Sequence, residues 1–199
     1  MAGRGRPREF DIDEALDVAI VVFWRQGYEG TTLDDLTGAM GISRPSLYAA
    51  FGDKEATFKR AVQRYTQVDM RYVETALAQS TAFAVAAEYL QGNIRTITNP
   101  DRPPGCLTVQ GGVSGSQADQ RIVELLNTVR IAVEARLTAR FKQAIADGDL
   151  PETEDPADLA RYLLTVTSGQ AIQAGAGATR AQLSRVAEHA LAAFRPFAS

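Results

Sequence analysis

From Asp11 onward, apolar residues return at three- and four-residue spacing, so that Leu16, Ala19, Ile20 and Phe23 fall on one face of a helix. Asp11 is placed to cap its start with Glu14 three residues on, Phe10 offers an apolar staple, and Gly27 a left-handed stop. A short second helix follows in TTLDDLTGAMG, with Thr32 as cap, Leu33, Leu36 and Met40 as the buried stripe, and Gly41 where the chain must turn sharply. Ser43 caps a third segment, RPSLYAAF, which tolerates Pro45 because the first turn has no intrahelical donor to lose; Leu47 and Phe51 face inward. Gly52 and Asp53 break and recap the chain. A long fourth helix is then predicted over 54–79, with Phe58, Val62, Tyr65 and Val68 on one side.

Helical spacing continues over 82–98, in a short piece after Pro103-Pro104-Gly105, and over 118–146, 156–174 and 180–194. Asp155-Pro156 reads as a cap with proline in the first turn, and Thr179 with Gln182 as a capping box. No segment alternates as a strand does. The expected fold class is therefore all-α, with about nine helices: an N-terminal three-helix unit joined through a long fourth helix to a helical C-terminal domain. The expected boundaries are a basic arm over 1–9, a first domain over 10–53 and a second over 54–199.

Composition narrows the function. A chain of 199 residues can bury a core without staples, and one cysteine, Cys106, and one histidine, His189, are too few for a disulfide framework or a Cys/His zinc site. No GxSxG, HExxH or P-loop string is present, and the run from Ala174 to Ala178 lacks the third glycine of a dinucleotide fingerprint, so neither an enzyme nor a cofactor is expected. No apolar run approaches a membrane span, and MAGRGRPREF has no apolar segment behind it, which predicts a cytoplasmic protein with no membrane partner. The net charge of −3 is unlike that of a uniformly basic nucleic-acid binder. The distribution matters more: Arg4, Arg6 and Arg8 stand together ahead of the first helix, and Arg44 and Lys54 fall near the turns.

Two short helices joined by Gly41-Ile42-Ser43 fit a helix-turn-helix. The segment GYEGTTLDDLTGAMGISRPSLYAAFGDKEATF, residues 27–58, resembles the DNA-binding signature of TetR-family regulators. That resemblance implies a homodimeric transcriptional repressor of double-stranded DNA, reading a palindromic operator whose half-sites lie about 34 Å apart and released by a small-molecule effector. It places the third helix in the major groove, with Arg44 bidentate to guanine and Pro45 and Ser46 against a thymine methyl or neighbouring base, Ser43 at the cap beside them. Tyr48 matches a phosphate-contacting tyrosine. Thr32 and Lys54 match helix starts that hold phosphates, and the arm of Arg4, Arg6 and Arg8 is suited to the minor groove. Ala49 and Ala50 depart from the larger polar or aromatic residues of many members.

The same resemblance implies an effector cavity in the C-terminal half, for which position nominates Tyr72, Phe83, Cys106, Leu107, Gln110 and Tyr162. It implies a dimer interface on the last two helices, with Leu163, Val166, Ile172, Leu183, Val186, Ala190 and Phe194 as its interface or core residues; His189 is assigned to surface or packing. Two alternatives stand beside this reading. Cys106, at the start of a short helix that favours a thiolate, is either an oxidant or electrophile sensor or a small buried apolar residue. In the other alternative the chain is a helical small-molecule carrier or enzyme whose helix-turn-helix likeness is accidental.

Overall fold

The computed structural model describes residues 10–113 and 120–194, and every regular element among them is helical. The basic arm with Arg4, Arg6 and Arg8 lies outside the described residues. Helix α1 spans Ile12–Gly30, α2 Leu33–Met40, α3 Arg44–Phe51 and α4 Lys54–Val68. The Asp11 carboxylate accepts from the amides of Asp13 and Glu14 and so closes the first turn of α1. Gly27 does not end that helix: its φ of 71° makes a kink, and one further turn carries the chain to Gly30.

Phe23 and Trp24 of α1 pack onto α4, where Phe23 meets Phe58 edge-on at 4.9 Å and Trp24 meets Tyr65 edge-on at 5.2 Å. Leu36 of α2 and Leu47 and Phe51 of α3 close the rest of this small core. The apolar stripes read from the sequence are largely the buried faces, with Leu33 and Met40 only partly covered; Val68, predicted to continue the stripe of α4, is instead exposed where that helix ends.

The fourth helix is shorter than predicted. It stops at Val68, the chain turns through residues 69–71, and α5 spans Tyr72–Leu77. Two tertiary interactions hold the break: the Thr96 hydroxyl donates to the Asp69 carbonyl at 3.0 Å, and Arg102 holds the Asp69 carboxylate at 3.0 Å. A continuous helical stripe cannot reveal interactions made from residues so far along the chain. The break lets α5 lie against α6, Ala82–Ile97, at such short range that a Cβ on Gly92 would stand 2.4 Å from Tyr72 Cβ.

The remaining elements are α7 Leu107–Val113, α8 Gln120–Ala146, α9 Pro156–Gly175 and α10 Arg180–Ala190, continued by a short 3₁₀ turn to Phe194. The caps at Asp155 and Thr179 form as read. Helix α6 runs through the middle of the C-terminal bundle against α5, α9 and α10, while α8 packs along α9. Apart from α4, the head meets this bundle where α1 rests on α7. Any rearrangement around α7 is therefore felt by α1.

Candidate nucleic-acid interface

Two short helices, α2 and α3, are joined by a three-residue turn that Gly41 makes possible by taking φ 66°. Each is capped. The Thr32 hydroxyl accepts the Asp35 amide at 3.1 Å while the Asp35 carboxylate accepts the Thr32 amide at 2.8 Å, and Ser43 Oγ accepts the Ser46 amide at 3.2 Å with the two serine hydroxyls 2.8 Å apart. Because Leu47 and Phe51 are buried, α3 turns Arg44, Pro45, Tyr48 and Ala49 outward. Tyr48 is half exposed, so its ring and hydroxyl are presented to solvent beside Arg44 and Pro45.

Arg44 is not a loose surface charge. Its Nε donates to Asp34 Oδ1 at 2.9 Å and its Nη2 to Oδ2 at 2.6 Å, a two-pronged pair across the turn. That hydrogen bond, then the nearby positive charge, holds the Asp34 carboxyl below its ordinary value. Lys54 ties two elements of the head together. Its Nζ donates to the carbonyls of Tyr28 and Thr31 at 3.0 and 3.1 Å and lies 4.3 Å from the Tyr28 ring centroid, clamping the end of α1 to the start of α4. Ser46 likewise shares its amide and hydroxyl with the Ser43 cap.

The positions nominated for an effector separate into two groups. Tyr72 and Cys106 line one cavity of about 30 Å³ together with Tyr89, Asn93, Thr108 and Thr167. Through Met70, Val129 and Val133 this chamber adjoins a groove of about 430 Å³ between α4, α5 and α8, flanked by Arg71, Glu74 and Arg136. The other nominees stand apart. Leu107 is core, Phe83 and Tyr162 are exposed, and Gln110 turns to the Pro104 carbonyl at 3.3 Å. Helical spacing gives a side chain its element without fixing its direction.

What the periodicity missed is the polar wall. Asn93 Nδ2 donates to Gln170 Oε1 at 3.0 Å, Gln170 Nε2 donates to the Leu183 carbonyl at 3.3 Å, and the Tyr72 hydroxyl donates to Asn93 at 3.4 Å. Burial pushes the Tyr65, Tyr72 and Tyr89 phenols above their ordinary 10, so all three stay neutral donors at physiological pH. The Tyr65 hydroxyl reaches Cys106 Sγ at 3.3 Å. An amide interrupting the apolar stripe of α6 was the available signal for Asn93.

On the head side, an ionic cluster ties three segments. Arg64 of α4 grips Asp17 of α1 through Nε and Nη2 at 3.0 and 2.6 Å, and Arg102, in the turn ahead of Pro103-Pro104-Gly105, reaches Asp17 at 3.3 Å as well as Asp69.

Burial divides the residues named for the interface or core. Leu163, Leu183, Ala190 and Phe194 are buried inside a single protomer, where Phe194 stacks near Phe141, and a side chain without accessible surface has none to give a partner. Ile172 and Val186 are about half exposed on α9 and α10, and Val166 is intermediate. His189 is exposed. Among the described residues no helix is long and apolar enough to cross a membrane, and no group of His, Cys, Asp or Glu is arranged to hold a metal ion.

Residues 15–61 match the family model described as bacterial regulatory proteins, tetR family. Over 92% of its length the chain is 33% identical to the HTH-type transcriptional repressor ComR of Escherichia coli K12, of which it covers 89%. Among solved structures, it superposes with a TM-score of 0.90 and 38% identity on a cysteine mutant of the TetR family transcriptional regulator CifR complexed with 26-bp double-strand operator DNA, covering 96% of this chain and all of that one. A putative TetR transcriptional regulator from Rhodococcus sp. RHA1 is also 38% identical, with a TM-score of 0.64 over 93% of this chain and all of the other.

Proposed function

The chain belongs to the TetR family of bacterial regulatory proteins, and from that premise we propose that it represses transcription as a homodimer whose two heads read a palindromic operator. It is a DNA-binding transcriptional regulator. The observation that carries the finer reading is the outward row of Arg44, Pro45 and Tyr48 on an α3 whose opposite face is locked in the core. Arg44 reads guanine, and Tyr48 and the amide-rich start of α2 at Thr32 hold phosphates on either side. The start of α4, which Lys54 clamps to α1, adds a further set of backbone donors.

An effector enters by the groove between α4, α5 and α8 and reaches the chamber of Tyr72, Tyr89 and Asn93 past Met70. The chamber has room for about one water, so a ligand larger than that has to displace its walls. The displaced wall includes the Cys106 segment, whose neighbours Tyr65 and Arg102 touch α1 through Trp24 and Asp17. The two heads then change spacing, with a coupling of about 1–3 kcal/mol between effector and DNA.

The test is an anisotropy titration of an operator duplex. Arg44→Ala should lose at least about tenfold in affinity for the operator while changing binding to a scrambled duplex by little more than one phosphate contact does. Equal losses on both duplexes would show that Arg44 only supplies charge.

A second reading, with Cys106 as the trigger, is favoured by its place in the chamber wall beside the Tyr65 hydroxyl and the Thr108 hydroxyl, 3.1 Å away. Cys106→Ser protein that still leaves the operator on exposure to peroxide or N-ethylmaleimide would remove that reading.

A further inference from the structure

We propose that Asp34 sets the base preference of Arg44 by holding its guanidinium side-on, so that the outer two-donor edge points at a guanine and away from the phosphates. This rests on the reading of Arg44 as the base-contacting residue and goes beyond it, because Asp34 belongs to neither the recognition helix nor its caps.

The geometry divides the donors of Arg44. A guanidinium carries five N–H groups in a planar fork. Asp34 takes the Nε proton at 2.9 Å and one Nη2 proton at 2.6 Å. The second Nη2 proton and the Nη1 pair remain; the Nη2 proton and the outward one of the Nη1 pair form a parallel fork whose spacing matches the O6 and N7 acceptors on the major-groove edge of guanine.

Without such a tether, an arginine in the first turn of α3 reaches base edges and backbone phosphates alike, and the phosphate contact carries no sequence information. The tether acts twice. It fixes the orientation of the side chain before DNA arrives, and its own negative charge makes a competing phosphate contact unfavourable.

Both ends of the tether stand on fixed elements. Asp34 projects from an α2 whose start is locked by the Thr32–Asp35 capping box, and Arg44 from an α3 whose start is locked by Ser43. Asp35 is committed to that box, which leaves Asp34 as the carboxylate facing the turn. Stability does not account for the pair, since both side chains are more than half exposed and such ion pairs contribute little to folding.

The experiment is selection from a random duplex library with wild-type, Asp34→Ala, Asp34→Asn and Arg44→Ala proteins, each first checked for an unchanged melting temperature. Wild type should enrich a guanine once in each half-site, and Arg44→Ala should lose it. Both Asp34 variants should keep the palindrome and its spacing, lose at least about tenfold of the preference for that guanine, and bind a scrambled duplex about threefold or more tightly as a negative charge leaves the interface.

Asp34 variants that keep the full guanine preference, while Arg44→Ala loses it, overturn the role of Asp34 and leave Arg44 as the reader. Loss of preference at a different base pair from the Arg44 position overturns it too, because Asp34 would then be accepting a hydrogen bond from a base itself. An Arg44→Ala protein with unaltered preferences overturns the reading of Arg44, and the tether with it.

Discussion

The Tyr65 hydroxyl donates to Cys106 Sγ at 3.3 Å, and the same ring lies edge-on to Trp24. A thiol in the chamber wall is thereby one residue removed from α1, the first helix of the head. Cys106 and Tyr65 are both buried, so this contact forms a joint between the two halves of the molecule.

Tyr65→Phe keeps the ring against Trp24 and removes only the donor. The loss is that of one hydrogen bond to a weak acceptor, about 1 kcal/mol. For a chain of this size, that lowers the melting temperature by about 2–4 °C. Emission of Trp24, the single tryptophan, follows the transition directly.

Asp17 predicts an acid limb in the stability. Hydrogen bonding from Arg64, and then Arg102, holds its carboxyl below the ordinary 3.8 against the opposing effect of burial. Its contribution is thus complete above that value and is lost as pH falls through the lower folded value. Asp17→Asn should be less stable than wild type by about 2 kcal/mol at neutral pH, and the gap should close below pH 3.8. Asp69 acts with the opposite sign, because burial raises its carboxyl despite Arg102. The quantity to follow by urea titration is therefore the difference between variant and wild type at each pH.

Gly92→Ala tests the close approach of α5 to α6. The new Cβ would meet Tyr72 Cβ at 2.4 Å, and neither backbone has a flexible tip to yield. Overpacking of this kind costs about 1–3 kcal/mol, visible as a lower urea midpoint with an unchanged slope.

The two faces of α10 should respond in opposite ways. Val186→Glu puts a charge on the exposed face and should yield a folded monomer by sedimentation, with weaker operator binding. Leu183→Ala instead opens a cavity in the protomer and should cost about 2–5 kcal/mol of stability with the dimer retained in the folded fraction.

Much of the fold was legible because its determinants are local. Thr32, Ser43, Asp53, Asp155 and Thr179 each cap the helix that follows through a side chain within three residues of the amide it accepts. The buried stripes of α1 to α4 obey one period. The break after Val68 was not legible, since it is held by Thr96 and Arg102 from other elements. The same holds for the site. Arg44 and Tyr48 could be placed from their motif, whereas Asp34 became visible only when the turn brought α2 and α3 together. For Lys54 the sequence did not show the two carbonyls under its ammonium, since Tyr28 and Thr31 lie at the end of another helix. For Leu163 and Leu183, helical spacing gives a face but does not say whether that face meets its own chain or another; their burial assigns both to the core.

The central claim is sequence-specific binding by two symmetric heads, and selection of bound duplexes from a random library with the wild-type protein tests it most directly. A single enriched palindrome with half-site centres about one helical turn apart, bound with a steep salt dependence, is the expected result. Enrichment of no sequence, or of an unpaired half-site bound equally well by the Arg44→Ala protein, would contradict it.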